Sequence, residues 1–211
     1  MSHWDWTLYL VTDRRLAGTR PLPDLVAAAV RGGVTAVQLR EKECGTREFV
    51  ELARALKTLL AALRVPLIVN DRADVALASG ADGVHVGQSD MQCGDLRRLL
   101  GPSAAIGLSV EKPEQAAEAP PEADYLGVSP VFATPTKTDT ALAWGLAGLA
   151  ALRRASHRPL VAIGGIHRDN AARVIASGAG GIAVVSEICA APDPELAARM
   201  LRREIDRGRD E

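Results

Sequence analysis

In the run VQLREK, Gln38, Arg40 and Lys42 occupy alternate positions, so on an extended strand one amide and two cations point the same way. Val37 and Leu39 point the other way. Two further runs, LIVND and GVHVGQSD, set Asp71 and Asp90 just beyond consecutive apolar segments. Neighbouring carboxylates can share Mg2+, a hard cation that keeps waters and carries substrate phosphates. The competing readings are structural. Arg40 and Lys42 can be solvated rim charges, Asp71 can cap the helix RADVALASG, and Ser89 or Asp90 can cap the next one.

Three more polar clusters follow. The connection VFATPTKTDTALAW (131–144) is longer than the usual few residues between a strand and its helix, the length typical of a lid or clamp. Its Thr134, Thr136 and Lys137 offer two hydroxyls and a cation suited to phosphate oxygens, or simply a solvated loop. The runs VAIGGI and GIAVVSEI end in Gly164, Gly165, Val185 and Ser186, where backbone N–H groups and a helix start can hold a phosphate. Tight helix–strand packing explains one of the two glycines readily and both in succession less well. His85, with no second His or Cys at ligand spacing, reads as a hydrogen-bonded interior histidine. Trp4 and Trp6 read as covers for the barrel bottom or one side, and Cys189 as a buried thiol.

These positions need elements to hold them. Eight short apolar runs, at 7–13, 35–41, 66–71, 83–87, 104–110, 124–130, 159–165 and 181–187, alternate with stretches that can be helical. That alternation predicts repeated βα units around a parallel sheet, and the count of eight predicts closure into a single (β/α)8 TIM barrel spanning 1–211. The clearest helix is 46–64, with Phe49, Leu52, Ala53, Leu56, Leu59, Leu60 and Leu63 at helical spacing. The weakest is KPEQAAEAPPEA, which Pro120 and Pro121 limit to about two turns. ASGADGVHV (78–86) resembles ASGAGGIAVV (176–185), each a helix end, a glycine cap and a strand start four units apart. An open doubly wound sheet is disfavoured, since no strand leads into G-x-G-x-x-G and no G-x-x-x-x-G-K-[ST] occurs.

Bulk properties exclude other classes. With 47% hydrophobic residues the chain has material for a full core, and 25 basic against 26 acidic residues leave no electrostatic footprint for nucleic acid or anionic lipid. Aromatics at 3% are too few for base-stacking platforms. The three cysteines, Cys44, Cys93 and Cys189, are scattered without CxxC spacing and suit a reducing cytoplasm. No long apolar run predicts export or a membrane span.

Taken in order, VQLREK, LIVNDRADVA, GVHVGQSD, IGLSVE, LGVSPVFATPTKTD, VAIGGI and GIAVVSEI resemble the thiamine-phosphate synthase family along nearly the whole chain. The resemblance implies a transferase of thiamine biosynthesis with Mg2+ as cofactor and small phosphate and diphosphate molecules as partners. It implies pyrimidine-diphosphate contacts at Gln38, Leu39, Arg40, Glu41, Lys42, Asn70, Ser109 and Lys137, and magnesium at Asp71 and Asp90. Thiazole-phosphate contacts are implied at Thr134, Pro135, Thr136, Gly165, Val185 and Ser186. Arg40, Lys42, Lys137 and Ser109 would act in catalysis, by a dissociative mechanism in which cations neutralise departing pyrophosphate. Ser109 comes from the resemblance alone; its position otherwise reads as small and internal. Two departures stand out. Glu187 follows Ser186 where the family often has a small residue, and His167 follows IGGI where a hydroxyl or amide cap is common. A carboxylate there can weaken phosphate binding unless it points away. The alternatives are a sister thiazole tautomerase, which has no need of the acidic pair and diphosphate cations, and a non-catalytic metabolite-binding barrel.

Overall fold

Each strand of this chain is apolar on both faces, which suits parallel strands covered on one side by helices and on the other by a barrel interior. The computed structural model describes residues 4–133 and 143–210. Its strands are β1 (Leu8–Val11), β2 (Ala36–Leu39), β3 (Leu67–Asn70), β4 (Gly83–Val86), β5 (Ala105–Val110), β6 (Tyr125–Val128), β7 (Leu160–Ile163) and β8 (Gly181–Val184). They pair in sequence order, all parallel, and β8 returns to β1 to close a (β/α)8 TIM barrel. The helices are α1 (Arg14–Ala17), α2 (Leu22–Arg31), α3 (Thr46–Leu63), α4 (Ala73–Ser79), α5 (Cys93–Leu100), α6 (Pro113–Ala117), α7 (Gly145–Ala155), α8 (Arg168–Ala176), α9 (Ser186–Cys189) and α10 (Pro194–Asp210). Every strand lies inside its predicted run. α6 is shorter than predicted, at five residues.

The period of two sorts the strand side chains into two layers. Leu8, Leu10, Val37, Leu39, Leu67, Val69, Ile106, Leu126 and Ile182 join the helices in one outer apolar cluster. Tyr9, Val11, Ala36, Ile68, Ala105, Tyr125, Val161 and Ala183 form a separate inner cluster with Trp6. α3 contributes Phe49, Ala53, Leu56 and Leu60 to the outer layer, whereas its predicted Leu63 is exposed at the helix end. Each large apolar side chain so buried is worth about 1.5–3 kcal/mol of transfer free energy. Trp6 stacks on Tyr125 at a centroid distance of 4.2 Å and closes the amino-terminal end of the barrel. In the two similar segments, Gly80 caps α4 in the left-handed region, while α8 is capped by Ser177 with Gly178 following at φ 100°. Cys93 and Cys189 are buried, Cys44 is partly exposed, and all three are free thiols. No helix among the described residues is long and apolar enough to cross a membrane.

Candidate active site

Above the inner apolar layer the inward side chains turn polar. Gln38, Asn70, His85 and Ser109 line a cavity of about 460 Å³ that opens at the carboxyl ends of the strands. The registers Asn70↔His85, His85↔Gly107 and Ser109↔Gly127 bring these side chains to similar depth. Gln38 Nε2 donates to the Tyr9 hydroxyl at 3.2 Å, and the Tyr9 and Tyr125 hydroxyls lie 3.0 Å apart. Tyr125 continues to His85 Nδ1 at 3.0 Å, and His85 Nε2 reaches Ser109 Oγ at 2.8 Å. Burial pushes both tyrosine hydroxyls well above their ordinary range, so they stay neutral. Two glycines make the space: a Cβ at Gly107 would collide with Tyr125 and His85, and one at Gly127 would crowd the His85 ring.

The rim carries charge. Thr12, fully buried, donates its amide to the Gln38 carbonyl at 2.9 Å and accepts the Arg40 amide at 3.1 Å, which fixes where β2 releases Arg40. Arg40, Lys42, Asp71 and Asp90 all line the cavity. Asp71 sits at φ 61°, a left-handed conformation uncommon outside glycine, and its amide donates to the His85 carbonyl at 2.9 Å. Neither carboxylate caps a helix. The N-cap of α4 is Arg72 and that of α5 is Gln92, both without side-chain caps. Asp90 instead accepts the Gly87 amide at 2.7 Å. Burial raises the Asp71 pKa first and the adjacent Asp90 raises it further, with Lys42 and Asn70 opposing. Two like charges held together, neither of them a helix cap, could serve as donors to a hard cation. No cluster of three or more His, Cys, Asp or Glu arranged for a metal occurs among the described residues. Among the described residues Asp71 and Asp90 could supply two oxygen ligands, and water and substrate oxygens could supply others, the manner in which phosphate-carrying divalent ions are held.

Other predicted positions are less direct. The Leu39 side chain lies in the outer apolar layer, so contact with a ligand would fall to its backbone. Glu41 turns to Arg14, which reaches its carboxylate at 2.8 Å and Glu48 at 2.6 Å, and lines a smaller neighbouring cavity of about 250 Å³ shared with Arg40 and Lys42. Thr134, Pro135, Thr136 and Lys137 lie outside the described residues. The stems of their connection are pinned, with Val131 donating to Ile163, Phe132 to Gly164, and Gly145 back to Val131.

That pinning accounts for both glycines of IGGI. Gly164 and Gly165 have φ of 102° and 63°, and a Cβ on either would meet Pro130, or Phe132 and Ala133, at under 3 Å. Gly164 and Val185 line the cavity; Gly165 is set behind it, and Ser186 is exposed at the start of α9. The two departures from the family pattern answer each other. The Glu187 carboxylate lies 3.1 Å from His167 Nδ1 and accepts the Arg168 amide at 3.3 Å, while Asn170 accepts the His167 amide at 2.8 Å. Glu187 thus faces the N-terminus of α8, a favourable place for a carboxylate, and not the cavity.

A family model described as thiamine monophosphate synthase matches residues 8–188. The chain belongs to that family. It is 62% identical over 202 residues to a thiamine-phosphate synthase from Albidiferax ferrireducens, covering 94% of this chain and 91% of the relative. A thiamine-phosphate synthase from Syntrophomonas wolfei is 53% identical over 204 residues, covering 96% and 98%. Among solved structures, a thiamine phosphate pyrophosphorylase from Pyrococcus furiosus superposes with a TM-score of 0.88 at 40% identity, covering 97% of both chains. Within this family member, the cavity residues that sequence reasoning missed include Tyr9, Tyr125, Gln88, Glu111, Gln115 and Ser129, with His85 assigned to the interior but not to the cavity wall. Gln88 donates to the Ser109 carbonyl at 2.6 Å and Gln115 accepts the Glu111 amide at 2.7 Å. The period of two points to Ser129 through Gly127 and Tyr125; the glutamines carry no comparable signal.

Proposed function

We propose that this chain joins an aminopyrimidine methyl diphosphate to a thiazole phosphate, forming thiamine phosphate and releasing pyrophosphate. The observation that carries this reading is the pairing, on one cavity wall, of the cations Arg40 and Lys42 with the Asp71–Asp90 carboxylates, which serve no cap. A tautomerase would have no use for that combination.

The chemistry is a substitution at the pyrimidine methylene. The methylene C–O bond breaks, its electron pair leaves with pyrophosphate, and the thiazole nitrogen lone pair forms the new C–N bond. The aminopyrimidine ring stabilises the developing methylene cation, so no protein nucleophile is required. Arg40, Lys42 and Lys137 neutralise charge that grows on the departing diphosphate, an electrostatic contribution realised mostly in the transition state. Gln38, Asn70 and Ser109 orient the pyrimidine, and the backbone at Leu39 and Glu41 completes its contacts. Thr134, Pro135, Thr136, Gly165, Val185 and Ser186 hold the thiazole phosphate. Bringing the two reactants together supplies much of the remaining acceleration. Asp71 and Asp90 would hold Mg2+, which when bound supplies positive charge to the diphosphate oxygens. Cytoplasmic placement as one domain fits the three free thiols. Incubation with both substrates and Mg2+, followed by mass spectrometry, tests the assignment: thiamine phosphate in equal amount to pyrophosphate is expected, and pyrophosphate without it would overturn the transfer.

A further inference from the structure

The cavity's two neutral hydrogen-bonding walls, Gln38 on β2 and Ser109 on β5, are joined across the cavity floor by three lining side chains that the reaction itself does not use. The sequence of contacts is Gln38, Tyr9, Tyr125, His85, Ser109, each step between 2.8 and 3.2 Å. Such a chain has a direction. Gln38 Nε2 donates to the Tyr9 oxygen, so the Tyr9 proton, in a residue only 1% exposed, goes to Tyr125. The Tyr125 proton then goes to His85 Nδ1, which leaves His85 as the Nε2–H tautomer donating to Ser109 Oγ. At one end the Gln38 carbonyl is left to accept from the cavity; at the other the Ser109 hydroxyl is left to donate into it. Turning the Gln38 amide would reverse every donor along the chain and commit the Ser109 proton to His85 Nε2, so the setting of Gln38 decides whether the Ser109 hydroxyl is free to donate into the cavity.

We propose that Tyr9, Tyr125 and His85 are positioning residues that tie the hydrogen-bond polarity of Gln38 to that of Ser109, so that the cavity selects a ring offering one donor and one acceptor. An aminopyrimidine, with an amino N–H beside a ring nitrogen, meets that requirement. The inference rests on the reading of this cavity as the pyrimidine site. Gly107 and Gly127 keep open the space the His85 and Tyr125 rings occupy, and Trp6 supports Tyr125 from below. Burial keeps both tyrosines protonated, so neither middle link of the chain is lost to ionisation at working pH.

The test is a double-mutant cycle. Calorimetry gives the Kd of the aminopyrimidine methyl diphosphate for Gln38→Ala, Ser109→Ala and the pair, in the wild-type and the Tyr125→Phe backgrounds. Residues in one hydrogen-bonded network couple, so the effects of their substitutions on binding do not add. The expected result is a coupling of about fivefold or more in the intact chain that falls to near unity in Tyr125→Phe, with the KM for thiazole phosphate unchanged. Equal coupling in both backgrounds would overturn the proposal, and a shift in both substrates' KM would mark Tyr125 as merely structural. Should Tyr125→Phe not fold, 15N NMR of the wild-type histidines decides. His85 as the Nε2–H tautomer, free and pyrimidine-bound, supports the chain, and Nδ1–H or imidazolium overturns it. Failure of the pyrimidine site itself reads differently, as absence of any pyrimidine binding by the wild type with the tautomer unaffected.

Discussion

The carboxyl groups of Asp71 and Asp90 lie against each other at the mouths of adjacent strands, and the Asp71 pKa is raised, first by burial and then by the neighbouring Asp90. A carboxyl whose folded pKa exceeds its unfolded value binds its proton more tightly in the native state. The ionised pair therefore destabilises the metal-free fold above the raised pKa, and that penalty fades as pH falls from there to the ordinary carboxylate value, about 4. Asp71→Asn should melt no lower than the wild type at pH 8 in EDTA, and its advantage should vanish toward pH 4. Asn also tolerates the left-handed φ of 61°. Added Mg2+ should raise the wild-type Tm by mass action and leave the variant nearly unmoved. Scanning fluorimetry checks this; equal Mg2+ shifts in both proteins would count against a shared cation.

At the start of α9, Ser186→Asp should weaken thiazole-phosphate binding by roughly tenfold or more, since like charges a few ångströms apart near a surface repel by several kcal/mol. Affinity for the pyrimidine diphosphate should change little. Glu187→Ala should behave otherwise. Its carboxylate meets His167 and the Arg168 amide, so the loss is one of helix capping, about 0.5–2 kcal/mol of stability, with thiazole-phosphate KM preserved. Calorimetry and thermal melts separate the two, and a lowered KM in Glu187→Ala would show that the carboxylate does face the phosphate.

Lys137→Ala should lower kcat on the order of 10²-fold, the scale for removing one preorganised group from developing charge, while raising the KM for thiazole phosphate much less. Steady-state kinetics with each substrate varied measures this. An unchanged kcat would remove Lys137 from the leaving-group side.

Gly107→Ala forces a methyl group into the Tyr125 and His85 rings. Overpacking of this kind costs about 1–3 kcal/mol, to be read from urea denaturation, and a neutral substitution would mean that the floor of the cavity yields easily.

The barrel was legible because its signal is local: apolar runs alternating with helical spacing, and polar residues where each run ends. Gln38, Arg40, Lys42, Asp71 and Asp90 were read in this way and line the cavity, as does Asn70, which the family resemblance supplied. Glu41 shows where the pattern stops, since β2 ends at Leu39 and its side chain goes to Arg14 instead. The interior chain was not legible. Tyr9, His85 and Tyr125 are single residues on β1, β4 and β6, ordinary in their own runs, and only barrel closure and register bring them together. The Glu187–His167 contact likewise spans two βα units, so each residue alone read as a misfit. The packing reason for two successive glycines was hidden in the same way: their crowding comes from the 130–133 segment of the preceding unit.

The most direct test of the central claim is the Mg2+ dependence of pyrophosphate release by wild type and Asp71→Asn. With both substrates present, the wild type should release pyrophosphate only when Mg2+ is added, and omission of the pyrimidine diphosphate should abolish release. Asp71→Asn should stay folded, lose most activity at ordinary Mg2+, and regain part of it at high Mg2+ as the weakened site fills. An Asp71→Asn enzyme with wild-type activity and wild-type Mg2+ dependence would contradict metal-assisted pyrophosphate departure at this site.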